Sequence, residues 1–234
     1  YVVNDCGAKT IISSEDKIQD LADIRENTQI QNIISFGKKD NGIQSFHSLL
    51  AENFLVERKP NVSSKDLSTI AYTSGTTGHP KGAMQSHEAV ILNGSMMSQL
   101  HMRGSNDIVV SALPCPHVYA NVLMTGMMMF GTKLVLHKSF EVEAIFDAIK
   151  IHNATIFDGV PTMYMFMLNS PNLKSSNLSS LKRCYVGGQT MPVATMTAVE
   201  KEFKVPLIEL WGMTEIAGLG ATFPLFGPNK HGSI

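Results

Sequence analysis

Residues 72–82 of the chain read YTSGTTGHPKG, a run rich in hydroxyl side chains and glycine. The ten residues from 73 to 82 hold four hydroxyl side chains, three glycines and one lysine. Glycine lets a backbone approach an anion closely, and hydroxyl and free N–H groups donate hydrogen bonds to phosphate oxygens. Lysine adds a compact positive charge that suits a polyphosphate. Because the run follows a strand pattern and precedes a helix pattern, it predicts a phosphate-binding loop within an α/β fold.

The run differs from the Walker A phosphate loop. That motif requires glycine directly before the lysine and serine or threonine after it, whereas here Pro80 precedes Lys81 and Gly82 follows it. Composition alone therefore leaves a second interpretation open, a surface loop of glycine, serine and threonine that holds no ligand.

The order of residues 73–82, TSGTTGHPKG, resembles the signature loop of the adenylate-forming superfamily of AMP-binding enzymes. This superfamily includes acyl-CoA synthetases, beetle luciferases and the adenylation domains of peptide synthetases, and its loop wraps the β- and γ-phosphates of ATP. The resemblance implies that Lys81 acts in catalysis. It also implies that six loop residues bind ATP: Thr73, Ser74, Gly75, Thr76, Thr77 and Gly78.

A second motif, Trp211-Gly212-Met213-Thr214-Glu215, is similar to the aromatic-Gly-x-Thr-Glu element of the same family. The resemblance implies that Thr214 acts in catalysis by hydrogen-bonding the α-phosphate, and that Trp211, Gly212 and Met213 line the nucleotide pocket. It further implies that Glu215 acts in catalysis by holding Mg²⁺, a hard ion that prefers oxygen ligands and pairs with ATP phosphates. An isolated glutamate is more often a solvated carboxylate, so this interpretation depends on the two motifs occurring together.

Two shorter elements also resemble the family. Gly187, Gly188 and Gln189 follow a strand pattern and are similar to the family's adenine-binding turn, which implies contacts with adenine and with the acyl group. In the alternative interpretation, the two glycines serve only to form the turn and bind no ligand. The segment that ends at His117 is similar to a proline-then-histidine element near the carboxylate pocket, and this implies a positioning or gating role in catalysis for His117, although a lone histidine is more often structural.

Strand and helix patterns alternate along the chain, which predicts an α/β fold. A break at residues 104–107 predicts the boundary between two lobes. The first lobe, residues 1–104, would carry the phosphate loop, and the second lobe, residues 105–234, would carry the adenine and Thr-Glu motifs. We expect each lobe to hold a mostly parallel, doubly wound sheet with flanking helices.

The individual elements follow from local patterns. Strand patterns cover residues 8–12, 31–36, 67–73, 108–113, 133–136, 155–157, 183–186 and 206–210. Helix patterns cover residues 15–26, 45–53, 86–103 and 141–151, with Ser86 as an N-cap and with Pro161 and Pro192 in first helical turns.

Composition excludes several classes of protein. The chain has 234 residues, of which 44% are hydrophobic and 17% charged, and its net charge is −1. The apolar fraction supports a sizeable core, and the charge lacks the basic footprint of a nucleic-acid-binding protein. No apolar run approaches the roughly 18 residues that a membrane span needs. The three cysteines are far apart in the sequence, which favours a reducing, cytoplasmic compartment.

The resemblance implies an ATP-dependent acyl-CoA ligase that uses Mg²⁺. Such an enzyme joins a carboxylic acid to the α-phosphate of ATP, expels pyrophosphate, and passes the acyl group to the thiol of coenzyme A. The chain begins with Tyr1 and lacks the family's later motifs, so we expect it to be a piece of a longer protein and to be inactive by itself.

Two features of the sequence bear on the identity of the acid. No acidic residue follows His117 in the run Val118–Asn121, which favours an acid without an α-amino group. Methionine clusters at residues 124–129 and 163–167 could form a pliable wall for a medium- or long-chain fatty acid, or they could simply fill the core. An aryl-acid CoA ligase and a non-catalytic nucleotide-binding module remain alternatives.

Overall fold

The computed structural model describes residues 1–17, 25–37, 42–52, 60–74 and 78–234. The chain divides into two compact units, the first formed by Tyr1–Val62 with Tyr72–Gly82, and the second by Ser63–Ala71 with Ala83–Ile234. The boundary predicted after residue 104 falls inside the second unit, and the domain organisation of the parent protein stays a prediction.

The first unit contains a three-stranded parallel sheet in the order β1 (Thr10–Ser13), β2 (Asn32–Ser35) and β3 (Gln44–Ser45). Its buried core consists of Ile30, Ile33 and Ile43. Two of the predicted strands therefore form, with shifted ends.

Two helices accompany this sheet. Helix α1 covers Val2–Asp5, and helix α2 covers Phe46–Ala51, with the Ser45 side chain accepting a hydrogen bond from the backbone N–H of Ser48. Of the helix predicted at 15–26, residues 15–17 form a 3₁₀ turn and residues 18–24 lie outside the described residues.

Strands β4 (Leu67–Thr73) and β5 (Lys81–Ser86) form a two-stranded sheet on either side of the phosphate loop. Helix α3 (His87–Leu100) follows, and its N-cap is Ser86 as predicted, because the Ser86 hydroxyl accepts a hydrogen bond from the backbone N–H of Ala89. No strand is predicted from the sequence after the loop, because residues 81–86 lack an apolar alternation.

The second unit is built on a six-stranded sheet in the order β11-β10-β9-β8-β6-β7. Strands β6 to β10 pair in parallel, and only β11 is antiparallel to its neighbour. Strand β6 lies between β7 and β8, so successive strands are added on one side of β6 and then on the other. Ligands of parallel sheets bind at the point where this direction reverses. The strands cover Ile108–Ser111 (β6), Lys133–Leu136 (β7), Ile156–Gly159 (β8), Arg183–Gly187 (β9), Leu207–Met213 (β10) and Gly218–Thr222 (β11).

Helices cover both faces of this sheet. On one face Tyr119 of the helix after β6 lies against Gly187, and on the other face the ring of Phe157 in β8 contacts Tyr164 in the helix after β8. This arrangement confirms the prediction of a mostly parallel, doubly wound sheet. The helices are α4 (Val118–Phe130), α5 (Val142–His152), α6 (Pro161–Asn169) and α7 (Val193–Phe203).

The helix predictions in this unit hold with small shifts. Pro161 is the first residue of α6 as predicted, because a missing N–H costs nothing there. Pro192 is the N-cap of α7 and not part of its first turn.

Strand β11 is not predicted because Gly218 and Gly220 interrupt its apolar pattern.

Candidate functional site

A cavity of about 100 Å³ opens at the carboxyl edge of the large sheet. We call it the first cavity. It lies where the segments that follow β6, β9 and β10 meet, because the carboxyl ends of parallel strands share one edge. Its lining comes from α3, α4, β9, β10 and β11 and from the segments next to them: Met97, His117, Val118, Tyr119, Val122, Gly187, Gly188, Leu210, Trp211, Gly212, Met213, Thr214, Gly218 and Leu219.

A second cavity of about 240 Å³ adjoins the first. The two cavities share four lining residues, namely Gly188, Leu210, Trp211 and Gly212. The second cavity is further lined by Val186, Gln189, Thr190, Met191, Glu209 and Ile234. The structure thus brings the Gly187–Gln189 turn, His117 and the Trp211–Thr214 segment together around two neighbouring spaces.

Glycine is required at two positions of this turn, for two different structural reasons. A Cβ atom on Gly187 would lie 2.9 Å from the carbonyl oxygen of Leu210 and 3.4 Å from a ring carbon of Tyr119. Gly188 has a φ of +86°, a left-handed conformation that residues with side chains rarely adopt. Both positions therefore need glycine, the first for space and the second for backbone conformation.

Trp211 and Gly212 sit at an irregularity in the pairing of β10 with β11. The Trp211 ring lies against Gly220, where no side chain is in the way, and about half of the Trp211 surface (49%) is exposed. The irregularity turns the end of β10 toward the cavities, so that Thr214 lines the first cavity while Glu215 is exposed beside it.

Buried side-chain amides hold the turn that carries Thr214 and Glu215. Gln85 donates a hydrogen bond of 2.7 Å to the main-chain oxygen of Thr214. Asn93 donates to the main-chain oxygens of Ile216 and Leu219 and accepts a hydrogen bond of 2.8 Å from the N–H of Leu219.

His117 is the N-cap of α4. Its Nδ1 atom accepts a hydrogen bond of 3.2 Å from the backbone N–H of Tyr119. An accepting Nδ1 places the proton of the neutral ring on Nε2, which makes Nε2 a donor. His117 is exposed and lines the first cavity, so this donor is available to a ligand.

A buried ion pair lies behind Tyr119. The guanidinium of Arg103 donates to both carboxylate oxygens of Asp158, at 2.8 and 3.0 Å, and both side chains are almost wholly buried. The Tyr119 hydroxyl donates to the same carboxylate at 2.9 Å. Arg103 also stacks on the ring of Tyr185, with its guanidinium carbon 4.3 Å from the ring centroid.

The pKa values follow from this burial. Burial and the negative charge of Asp158 raise the pKa of Tyr119 well above 10, so its hydroxyl remains a donor. Burial alone would lower the pKa of Arg103, but the charge and hydrogen bonds of Asp158 raise it. Burial, together with the charges of Arg103 and Arg183, lowers the pKa of His101 to about 2, so this ring is neutral.

A second buried pair supports the same sheet. Arg183 donates to Asp107 at 2.7 Å and to the Tyr185 hydroxyl at 3.1 Å. Burial alone would raise the pKa of Asp107, yet hydrogen bonds from Thr155 and Arg183 lower it. Because Asp107 precedes β6 and Arg183 begins β9, the pair ties together two strands whose carboxyl ends carry the site.

The phosphate loop lies in the first unit. Thr73 ends β4 and Lys81 begins β5 with its side chain exposed, whereas Gly75, Thr76 and Thr77 lie outside the described residues. Ser74 is exposed, and Gly78 has a φ of +118° with open space where a side chain would stand. These features fit a loop with free backbone donors, and the role of each loop residue stays a prediction.

The carboxylate oxygens near the site suit a magnesium ion that arrives bound to ATP. In the described ranges, no group of three or more His, Cys, Asp or Glu side chains is placed to hold a metal ion. Magnesium bound to phosphates keeps several waters and needs only one or two carboxylates from the protein. The exposed carboxylate of Glu215 matches that requirement.

Sequence reasoning missed the residues behind the site: Gln85, Asn93, Arg103, Asp107, Tyr119, Asp158 and Arg183. One signal could have indicated some of them, because Asp158 and Arg183 are opposite charges inside otherwise apolar strand patterns, and buried charges occur in pairs. Gln85 and Asn93 carry no comparable local signal.

The sequence model of one family, described as AMP-binding enzyme, matches residues 1–234. An indoleacetate–CoA ligase of Aromatoleum aromaticum is 33% identical over 204 residues, which cover 86% of this chain and 40% of that protein. A long-chain-fatty-acid–CoA ligase of Bacillus subtilis is 31% identical over 172 residues, which cover 72% of this chain and 31% of that protein.

Solved structures share the fold. ATP-bound MatB from Rhodopseudomonas palustris superposes with a TM-score of 0.87 at 24% identity, over 100% of this chain and 46% of that one. FadD1, a long-chain-fatty-acid-CoA ligase from Archaeoglobus fulgidus, superposes with a TM-score of 0.83 at 24% identity, over 95% of this chain and 46% of that one. The chain spans less than half the length of each of these four proteins.

None of the helices in the described part of the chain has the length and apolar character that crossing a membrane requires.

Proposed function

The chain belongs to the AMP-binding enzyme family, and on that premise we propose that its full-length protein is an ATP-dependent acyl-CoA ligase. One observation carries the proposal. Two adjoining cavities share the wall formed by Gly188, Leu210, Trp211 and Gly212, and the segment that leads from this wall carries Thr214 and Glu215. We assign the acyl group to the first cavity and adenine to the second.

The first half-reaction forms an acyl-adenylate. A carboxylate oxygen of the acid attacks the α-phosphorus of ATP, and the bond to pyrophosphate breaks. The Thr214 hydroxyl would donate a hydrogen bond to the α-phosphate, and the Nε2 proton of His117 could orient the carboxylate. Lys81 and the loop from Thr73 to Gly78 would bind the leaving phosphates, as their resemblance to the family loop implies. Preorganised donors of this kind each lower a barrier by about 3–4 kcal/mol.

The second half-reaction consumes the adenylate. The thiol sulfur of coenzyme A attacks the acyl carbon, the bond to AMP breaks, and the thiol proton is released. When Mg²⁺ is bound, it neutralises charge that develops on the phosphates. Glu215 would hold that ion.

The acid would lack an α-amino group. A carboxylate is the acceptor that best compensates an ammonium charge, and the acidic side chain behind the first cavity, Asp158, already has both oxygens occupied by Arg103 and Tyr119. The relatives named above act on chemically different acids, an indole acid and long-chain fatty acids, so they do not select one class.

The methionine clusters give no support to a fatty-acid wall. Met163 and Met167 are buried in the core, Met128 and Met129 are exposed, and the methionines that line the first cavity are Met97 and Met213. Core filling accounts for Met163 and Met167, and surface exposure accounts for Met128 and Met129.

The proposed reaction takes place in the cytoplasm, which the three free cysteines support. The partners would be ATP, a carboxylic acid and coenzyme A. The 234-residue chain by itself would adenylate weakly or not at all, because relatives of this family are more than twice as long.

The test is ATP–pyrophosphate exchange by the full-length protein with a panel of carboxylic acids, followed by detection of the acyl-CoA. Exchange that depends on the acid supports the proposal. Thermal stabilisation by ATP–Mg²⁺ without exchange would favour the rival, a non-catalytic nucleotide-binding module. Preference for benzoates or cinnamates would instead identify an aryl-acid CoA ligase.

A further inference from the structure

We propose that helix α1 fastens both ends of the phosphate loop, through Asp5 at one end and Tyr1 at the other, and thereby sets how tightly the protein binds ATP. The inference rests on the proposed function, because it concerns the loop that would bind the leaving phosphates. Asp5 and Tyr1 are positioning residues. They act through Tyr72 and His79, which stand at the two ends of the loop, and neither of them is assigned a contact with ATP.

The first contact is a hydrogen bond at the start of the loop. Tyr72 is the next-to-last residue of β4, and its hydroxyl donates to the Asp5 carboxylate at 2.5 Å. This hydrogen bond raises the pKa of Tyr72 above its usual value of 10, so the phenol keeps its proton and remains a donor. Thr73 follows at once and is the first residue of the loop. A charge-assisted hydrogen bond therefore holds β4 at the point where the loop begins.

The second contact is a stacked pair of rings near the end of the loop. The Tyr1 ring lies nearly parallel to the His79 ring, with the centroids 4.7 Å apart and the planes at 17°. Stacked rings at this separation attract each other. Lys81, the cation of the loop, comes two residues after His79 and begins β5. The stack therefore holds the segment that leads to Lys81.

Asp5 lies close to both contacts. Partial burial and the nearby charge of Asp5 raise the pKa of Tyr1, in agreement with a Tyr1 phenol that lies near the carboxylate bound by Tyr72. Both ends of the loop thus meet one short helix, Val2–Asp5.

Helix α1 is itself held by the sheet of the first unit. Val3 packs against the buried core of that unit, and its carbonyl accepts a hydrogen bond of 3.0 Å from the N–H of Ala8. Two residues further on, Thr10 begins β1. The helix is therefore joined to the core on one side and to the loop ends on the other.

Fixed ends lower the cost of ordering the loop around a ligand. Residues 73–78 include two glycines, and glycine loses more conformational freedom than other residues when its backbone is ordered. Contacts that hold the flanking residues in the free protein reduce that loss, so more of the interaction with the phosphates remains as affinity. The charge of Asp5 alone would act in the opposite direction, because it lies near a loop that would bind an anion.

The experiment measures the Kd of ATP–Mg²⁺ for the full-length protein by equilibrium dialysis, and kcat and KM by ATP–pyrophosphate exchange. Asp5→Ala and Tyr72→Phe should each raise the Kd and the KM for ATP by about threefold to tenfold, because each removes the same hydrogen bond. The double variant should raise them no more than the larger single variant does, since the two residues act through one contact. KM for the acid should stay near wild type.

Three further variants complete the test. Asp5→Asn keeps an oxygen acceptor and should have a smaller effect than Asp5→Ala. Tyr1→Leu keeps an apolar side chain but removes the ring, and it should raise the Kd for ATP by about threefold. The matched control for Asp5→Asn is Glu52→Gln, which neutralises an exposed carboxylate at the end of α2 and should leave the Kd unchanged. Thermal unfolding without ATP shows that each variant is folded.

The outcomes separate the two proposals. Equal Kd values in wild type, Asp5→Ala and Tyr72→Phe, or additive effects in the double variant, overturn the inference, while acid-dependent exchange keeps the ligase function. Tighter ATP binding by Asp5→Ala would show that the charge of Asp5 outweighs its anchoring contact, and this also overturns the inference. If no acid supports exchange, the proposed function fails, and weaker ATP binding by the variants would still support the anchor. Absence of ATP binding by wild type overturns both.

Discussion

The side-chain nitrogen of Gln85 lies 2.7 Å from the main-chain oxygen of Thr214, 129 positions further along the chain. Gln85 belongs to β5, and the first turn after β10 carries Thr214, so this hydrogen bond joins two distant parts of the second unit. Asn93 of α3 adds one hydrogen bond to Ile216 in the same turn and two to Leu219 in β11. The position of the Thr214 hydroxyl therefore depends on amides that line neither of the two cavities.

Replacing Gln85 by leucine should lower kcat by about tenfold to a hundredfold if Thr214 has the proposed role, because small misplacements of a catalytic group cost that much. KM for the acid should change little, since Gln85 does not line the first cavity. Steady-state kinetics of the full-length protein measure both constants. The matched control is Gln99→Leu, an exposed glutamine on α3 that bonds only to Ser95 among the described residues. Equal kcat values for the two variants would contradict a positioning role for Gln85.

Replacing Gly187 by alanine should lower the free energy of unfolding by about 1–3 kcal/mol, because the added Cβ meets backbone atoms that cannot easily move. That Cβ would lie 2.9 Å from the Leu210 carbonyl oxygen. Urea unfolding measures the change. Gly104→Ala is the control, since open space surrounds its position. A loss of stability as large for Gly104→Ala as for Gly187→Ala would show that the clash is not the cause.

Replacing Glu215 by glutamine should raise the Mg²⁺ concentration needed for half-maximal activity by about tenfold, because an amide oxygen binds the ion less strongly than a carboxylate. Titration of exchange activity with MgCl₂ at constant ATP measures the shift. Glu202→Gln removes an exposed carboxylate from α7 and should leave the titration unchanged. An unaltered Mg²⁺ requirement in Glu215→Gln would exclude this glutamate as a ligand.

Acid should destabilise the fold through His101. Its pKa is lowered from 6.5 to about 2 by burial and by Arg103 and Arg183, so below pH 6.5 the unfolded chain binds a proton that the folded chain does not. Stability should therefore fall as pH decreases, by about 2 kcal/mol between pH 7 and pH 5 from this group alone.

Urea unfolding at pH 5, 6 and 7 tests this dependence. In the His101→Gln variant, the free energy of unfolding should fall by about 2 kcal/mol less between pH 7 and pH 5 than it does in wild type. This comparison does not depend on how stable the variant is at pH 7. His137→Gln, at a half-buried position just after β7, should keep the full dependence. The same pH dependence in His101→Gln and wild type would contradict the assignment.

Much of the fold can be predicted from local patterns. Strand β7 and helix α5 follow from apolar spacing within a few residues, and the start of α3 follows from one capping serine. Strands β5 and β11 are not predicted, because both contain glycine and lack a regular apolar alternation, so their pairing is determined by the neighbouring strands.

The sequence by itself determined the α/β class of the chain, the membership in an AMP-binding family and the motifs from Thr73 to Lys81 and from Trp211 to Glu215. These properties depend on residue order over short stretches, where backbone conformation and capping act locally. Only the tertiary structure decided which groups support those motifs. Arg103 meets Asp158 across 55 positions and Gln85 meets Thr214 across 129, and such partners are selected by sheet order and by the need to pair every buried charge and amide, which no local pattern encodes.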